Sequence, residues 1–148
     1  MPRLVVDKQT LTIPELSVFK AQLEGTGKRE ISSTMAFVRI LATLLRDKNL
    51  GKRVVPIVPD EARTFGMEGM FRQLGIYSSE GQLYEPEDSD ELAAYKESKT
   101  GQVLEEGINE AGAFAAWMAA ATSYSTHQYT LLPFYIYYSI LAFSESVT

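Results

Sequence analysis

Acidic side chains follow two apolar segments of the sequence at the points where those segments end. Asp60 and Glu61 come directly after the apolar run 54–58, and Glu105 and Glu106 follow a second, shorter run. In open parallel sheets ligands bind at the carboxyl ends of the strands. Carboxylates placed there are able to act as acids, bases or hydrogen-bond partners of a bound molecule. For Asp60 the alternative role is a helix or turn cap.

Glu110 is a further carboxylate with an informative position in the sequence. Gly107 permits a tight turn from a strand into the alanine-rich segment 111–121, which puts Glu110 in the first turn of an apolar helix. The helix dipole lowers the pKa of a carboxyl group there, whereas burial raises it. Such a group is suited to hydrogen-bonding a nitrogen heterocycle. The alternative is that Glu110 only completes the electrostatics of the first helical turn.

Several other kinds of functional site are excluded or disfavoured by the sequence. The chain has no cysteine, so it forms neither disulfides nor thiolate metal sites. Its one histidine, His127, lies in a polar segment and is predicted to be a surface residue. Because the sequence has no Glu-x-x-His pair and no calcium-binding loop, we predict no self-contained metal site. Walker and GxGxxG nucleotide-binding motifs are also missing.

Composition indicates one globular domain in a reducing compartment. The chain has 148 residues, of which 45% are hydrophobic and 22% charged. Its net charge of -5 argues against nucleic acid and anionic membranes as partners. No apolar run reaches the roughly 18 residues that a membrane span needs, and residues 1–7 lack the apolar core of a signal peptide. We therefore expect a cytoplasmic protein without a membrane partner.

Helical patterns along the chain alternate with apolar segments typical of strands. A short helix is predicted within 15–23, and a stronger one is predicted to begin at Ser32 or Ser33 and to end before Gly51. A third helix is predicted at 67–74, closed by Gly75. The alanine-rich helix is apolar on all sides, which implies burial, and where no other element of this chain covers it we expect an exposed apolar patch.

The strand pattern predicts an α/β fold with an incomplete doubly wound, mostly parallel sheet and flanking helices. Strands are predicted at 53–58, 102–105 and 131–138. The nearly continuous apolar run of the first indicates a strand covered on both faces, as in parallel sheets. Because doubly wound sheets have about five or six strands, three strands indicate part of a domain.

Three longer motifs carry a resemblance to a known family. They are DEARTFGMEGMFRQLGIYS, EGINEAG and the pair ATSYST and PFYIYYS. With matching spacing from about Glu30 to Ser139, they resemble the pyrimidine-binding domain of the homodimeric pyruvate dehydrogenase E1 component, a thiamine-diphosphate-dependent decarboxylase. The resemblance implies the pyrimidine half of a thiamine-diphosphate-binding fold at 30–143. A lead-in at 1–29 with a short helix would precede it, and a divergent tail at 144–148 would follow.

The resemblance also implies roles for individual residues. Glu110 matches the glutamate that hydrogen-bonds N1′ of the aminopyrimidine, promoting the imino tautomer whose N4′ removes the C2 proton of the thiazolium. Ile108 matches the bulky apolar residue that holds the cofactor bent. Asp60 and Glu61 match acidic residues near the substrate at the active-site entrance. Tyr138 matches a tyrosine close to the pyruvate-derived group.

The sequence also departs from the family pattern. Leu141 stands where the family has an aromatic residue stacked on the pyrimidine, and we expect the similarity to stop at about Ser139. The sequence has no Gly-Asp-Gly motif, so we expect that it does not contain the family's domain that binds the diphosphate and Mg²⁺. We therefore expect that this chain alone does not catalyse the family's reaction, oxidative decarboxylation of pyruvate with acetyl transfer to lipoyl groups.

Three functions follow as hypotheses. The first is a fragment of the E1 component that is inactive in isolation. The second is one half of a split thiamine enzyme, completed by a separately encoded chain. The third is a non-catalytic interaction or regulatory protein that binds full-length E1. The expected partners are an E1-type subunit or complementary chain and, in the family, the dihydrolipoyl acetyltransferase.

Overall fold

The computed structural model describes residues 10–60, 62–86 and 95–138, which form short helices around a parallel sheet. Single-turn 3-10 helices lie at Leu16–Phe19 and Gly51–Arg53. The α-helices are α1 Lys20–Leu23, α2 Ser33–Arg46, α3 Glu68–Leu74, α4 Glu110–Ala121 and α5 Ser123–His127. The strands are β1 Val54–Val58, β2 Ile76–Tyr77, β3 Glu97–Ser98, β4 Leu104–Glu105 and β5 Leu132–Tyr135.

The helix ends lie where the local sequence signals place them. Ser32 is the N-cap of α2, and its side chain accepts a hydrogen bond of 3.1 Å from the backbone N–H of Met35. Gly75 ends α3 with a φ of 69°, a conformation that favours glycine. The predicted cap and closing residue are thereby confirmed.

The main sheet contains the three predicted strands in the order β4-β1-β5, and both pairings are parallel. In register, Val58 pairs with Glu105 and Val54 pairs with Leu132. A second, two-stranded parallel sheet joins β2 to β3, and the sequence analysis did not predict it. The α/β fold with a parallel sheet and flanking helices is therefore confirmed.

Two strands are shorter than predicted. The 102–105 strand pairs with β1 only at 104–105, because Val103 bridges to Ile76 instead. The backbone N–H of Gln102 donates to the carbonyls of Leu74 and Gly75 and not to β1, while its side-chain Nε2 donates to the carbonyl oxygens of Gly51 and Val54. The 131–138 strand pairs with β1 only at Leu132–Tyr135, followed by one further hydrogen bond of 2.9 Å from the Ile136 N–H to the carbonyl of Ile57.

The central strand β1 is covered on both faces, as its apolar run predicts. Val54 and Val58 pack into a core formed with α2 and α3, whereas Ile57 packs on the opposite face against α4. Alternating side chains point to opposite faces of a strand, so one five-residue segment joins two layers of helices. Val54, Ile57 and Val58 are all fully buried.

In the described part of the chain, α4 is buried on one face only and exposes an apolar patch on the other, as expected where no other element covers it. Ala113 and Ala120 face the sheet and are buried. Phe114 and Met118 leave 46% and 49% of their surface exposed. One face of α4 packs on β1 and β5, and no described element covers the other face, so an apolar strip remains open.

A matched pair of glycine substitutions tests this packing. A Cβ atom at Gly101 would overlap the backbone carbonyl of Ile76, whereas one at Gly69, within α3, meets nothing within 4 Å. We expect Gly101→Ala to lower the free energy of unfolding by about 1–3 kcal/mol. Gly69→Ala should raise it by up to about 1 kcal/mol, because alanine favours helix. Urea unfolding measures both, and equal stability of the two variants would contradict the packing.

Candidate functional site

The carboxyl ends of β1 and β4 meet at one edge of the sheet and bring acidic residues together there. Glu105, the last residue of β4, pairs with Val58, the last residue of β1. The backbone N–H of Glu106 donates to the carbonyl of Val58 at 3.1 Å, so the following loop stays beside β1. Asp60 lies two residues beyond Val58 and is exposed. Asp60 and Glu105 therefore lie at the same edge of the sheet, at the ends of two neighbouring strands.

Glu105 is the acidic residue of this edge with the most perturbed chemistry. Its Oε2 atom is buried and has no hydrogen-bond partner among the described residues. Burial, and then the charges of Asp60 and Glu97, raise the pKa of its carboxyl group to about 7, although Arg63 acts to lower it. The carboxyl of Glu105 therefore exchanges its proton near neutral pH.

A tyrosine–glutamate cluster lies close enough to Glu105 to act on it electrostatically. The hydroxyls of Tyr84 and Tyr95 donate to the same Oε1 atom of Glu97, at 2.8 and 3.1 Å. The hydrogen bond to Glu97 is the main cause that raises the pKa of Tyr84, and burial is the main cause for Tyr95. No sequence motif indicates this cluster, because its residues come from separate segments that the fold brings together.

Glu110 begins α4 as predicted, and the turn before it has the expected geometry. Gly107 has a φ of 79°, and the Asn109 side chain caps the helix by accepting from the N–H of Gly112 at 2.9 Å. Glu110 is 7% exposed, and its backbone carbonyl accepts a hydrogen bond of 3.1 Å from the Tyr135 hydroxyl. This bond joins the start of α4 to β5. Sequence analysis missed Asn109, although asparagine is a favoured N-cap.

Ile108 occupies the same β4–α4 loop and contrasts with Glu110. It leaves 81% of its surface exposed, while Glu110, two residues later, is buried. A large aliphatic side chain so exposed gains little stabilisation from hydrophobic burial against the described chain. The loop thus presents one apolar side chain outward beside one buried carboxyl residue.

The remaining predicted site residues lie apart from this loop or outside the described residues. Tyr138 is 42% exposed and stacks on Phe65 with ring centroids 4.8 Å apart. Glu61 and Leu141 lie outside the described residues. His127, at the end of α5, is exposed as predicted.

The described residues offer neither a cluster of metal ligands nor a membrane-spanning helix. In these residues, no three His, Cys, Asp or Glu side chains come together in a way that could hold a metal ion. None of the helices in residues 10–60, 62–86 and 95–138 is both long and apolar enough to cross a membrane.

The perturbed carboxyl of Glu105 makes stability depend on pH. Its pKa is raised from 4.5 to about 7 in the folded chain, so its contribution is fully present below about pH 4.5 and lost as pH rises through about 7. We expect Glu105→Gln to flatten this dependence. At pH 8 the variant should be more stable than wild type by about 1–2 kcal/mol, a value that allows for solvent screening.

Urea unfolding at pH 5 and pH 8 measures this difference. The control is Glu106→Gln, which changes the exposed neighbour of Glu105 and should leave the pH dependence as in wild type. Equal pH dependence of wild type and Glu105→Gln would show that Glu105 titrates normally.

Comparison with known proteins gives a consistent family. The family model described as "Pyruvate dehydrogenase E1 component middle domain" matches residues 11–147. The match begins before Glu30 and continues past Ser139, so the expectation that similarity stops near Ser139 is wrong. The motifs had marked only the part of the chain with the most distinctive residues.

Individual relatives carry the name pyruvate dehydrogenase E1 component. The relative from Pseudomonas aeruginosa is 64% identical over 145 residues, which are 98% of this chain and 16% of the relative. That from Cupriavidus necator is 68% identical over 133 residues, covering 89% and 15%. That from Escherichia coli K12 is 56% identical over 137 residues, covering 93% and 15%. The chain thus spans about one sixth of these relatives' length, which fits a fragment, and it belongs to the pyruvate dehydrogenase E1 component family, in the region of the middle domain.

Proposed function

We propose that this chain supplies the pyrimidine half of a thiamine-diphosphate site and does not decarboxylate pyruvate by itself. The family implies dependence on thiamine diphosphate. The observation that carries the proposal is the β4–α4 loop, where buried Glu110 follows the exposed Ile108 by two residues. An acid for a ring nitrogen and an aliphatic surface for a bent cofactor are the two groups that the pyrimidine end requires.

The chemistry of the loop fits an aminopyrimidine. A buried carboxyl group forms stronger hydrogen bonds than an exposed one, because the surrounding dielectric is low. Glu110 is placed by the Asn109 cap and by the Tyr135 hydroxyl, so its backbone is fixed before any ligand binds. When bound, thiamine diphosphate supplies the carbon nucleophile for attack on an α-keto acid. In this proposal Glu110 hydrogen-bonds the pyrimidine nitrogen N1′, and Ile108 supports the bend.

The other assigned residues take the roles that the resemblance implies. Asp60 and Glu61 line the approach of the α-keto acid, and Tyr138 lies near the group derived from it. Leu141 takes the position that stacks on the pyrimidine. We add Glu105 as a group that holds or releases a proton at the same edge near neutral pH, supported by its buried Oε2 and by the charge of Asp60.

The diphosphate and its metal ion need groups beyond those described. No three acidic, histidine or cysteine side chains among the described residues could hold a metal ion. Another part of an E1 component or another chain must then provide that half, which is why we propose no turnover by this chain alone. The absence of cysteine supports a reducing, cytoplasmic setting.

The open face of α4 favours two partnered alternatives. Phe114 and Met118 form an exposed apolar strip, and exposed apolar patches mark interaction surfaces. The chain could be completed by a separately encoded half, giving a split enzyme, or it could bind full-length E1 as a non-catalytic regulator. Restored activity on mixing identifies the first alternative, and inhibition of full-length E1 identifies the second. The dihydrolipoyl acetyltransferase remains a proposed partner of the assembled enzyme.

Calorimetric titration tests the half-site. We expect thiamine diphosphate with Mg²⁺ to bind when the chain is mixed with a separately expressed diphosphate-binding domain of an E1 component, and not to bind the chain alone. Glu110→Ala should weaken binding in the mixture by at least about tenfold, the loss of one charge-assisted hydrogen bond. Glu106→Ala, which removes an exposed carboxylate of the same loop, is the control. Binding that Glu110→Ala leaves unchanged would exclude the proposed role.

Sedimentation tests the α4 surface separately from cofactor binding. We expect Met118→Glu to weaken association with a complementary E1 polypeptide by at least about tenfold, because it places a charge in the apolar strip. Leu16→Glu introduces the same charge at a residue of the first 3-10 helix that is 72% exposed, and it should have no effect on this association. If both variants associate as wild type does, α4 is not the contact surface.

A further inference from the structure

An open groove between α2 and α3 lies on the sheet face opposite α4. Its volume is about 240 Å³. Buried side chains of the main core form its floor, among them Val38, Leu45 and Met70. No residue of the groove belongs to the sheet edge of Asp60, Glu105 and Glu110. Its surface is therefore an apolar site separate from the proposed cofactor half-site.

Two glycines explain why the groove is open. Gly69, on α3, lines the groove, and a Cβ atom there would meet nothing within 4 Å. Gly66 has a φ of 73°, which favours glycine, and the Met35 side chain lies against it. Any ordinary side chain at position 69 would extend into free space beside the apolar floor. The groove therefore depends on the glycine at position 69.

Arginines stand at the rim of this apolar surface. Arg39 and Arg46 both line the groove from α2, and seven residues of helix separate them by about 10 Å. Arg46 donates to the neutral Oε1 atom of Gln73 across the groove, at 3.3 and 3.4 Å. Among the described residues, neither arginine lies within salt-bridge distance of a carboxylate. An otherwise acidic chain thus places uncompensated positive charge beside an apolar surface.

We propose that this groove binds a free medium-chain carboxylate, with its alkyl tail on the apolar floor and its carboxylate on Arg39. The half-buried Arg39 is the better anchor, because solvent screens a buried charge less than an exposed one. Arg46 is exposed and already bonded to Gln73. The volume lies below the roughly 300–1,000 Å³ of sites for drug-sized ligands, so a short tail fits.

Titration of the isotopically labelled 148-residue chain with sodium octanoate, followed by amide NMR, tests the site. We expect saturable shifts confined to α2 and α3. Octanamide, which has the same chain length without the charge, should bind at least about tenfold more weakly, and Arg39→Ala should weaken octanoate by a similar factor. Arg72→Ala removes an exposed arginine of α3 outside the groove lining and is the matched control.

Filling the groove gives a second, independent test. Gly69→Leu improves helix propensity and places a side chain in the free space, so it should keep the folded spectrum and abolish octanoate shifts. Gly69→Ala should weaken binding less. Octanoate that does not saturate, equal affinity for octanamide, or binding unchanged in Gly69→Leu would each reject the proposal. A concentration-dependent dimer that Gly69→Leu disrupts would assign the groove to a second copy and reject it as well.

Discussion

The burial of β1 on both faces is the constraint on which the rest of the structure depends. The side chains of this five-residue strand pack against helices on both faces of the sheet. Val54 and Val58 belong to one hydrophobic core, and Ile57 belongs to the other. Side-chain alternation in an extended strand allows this, and two-sided burial is typical of a strand with parallel neighbours on both sides, as β1 has. The Gln102 amide, which donates to the carbonyls of Gly51 and Val54, holds the start of this strand from the side.

The same constraint determines the chemistry at the end of the strand. Because β1 and β4 end in register, Glu105 at the end of β4 lies close to the residues that follow β1, among them Asp60. The Glu105 carboxyl loses part of its hydration there, and the nearby charge of Asp60 disfavours its ionisation. As a result, the pKa of the Glu105 carboxyl group is raised to about 7. The raised pKa of Glu105 is therefore a consequence of strand register rather than of any local motif.

Features set by neighbouring residues could be predicted from the sequence, whereas contacts between distant segments could not. Ser32 and Gly75 were predictable because a cap or a left-handed residue acts within one helical turn. The run 54–58 was predictable because two-sided burial leaves a continuous apolar pattern. The Tyr84–Glu97–Tyr95 cluster was not, because its hydrogen bonds depend on how separate loops fold together. Within the candidate site, the place of Glu110 follows from Gly107, but the titration of Glu105 does not follow from its neighbours in sequence.

The partial burial of helix α4 bears on function. A helix that is apolar on all sides is stable in water only if each face is covered, yet the described chain covers one face and leaves Phe114 and Met118 exposed. At the start of α4 the usual pattern of polar residues outside and apolar residues inside is reversed, because the acid Glu110 is buried and the aliphatic Ile108 is exposed. A domain selected to act alone has no physical reason to place its residues in this way. The arrangement is explained if further surface covers α4 and Ile108, which is what a site shared between chains or domains requires.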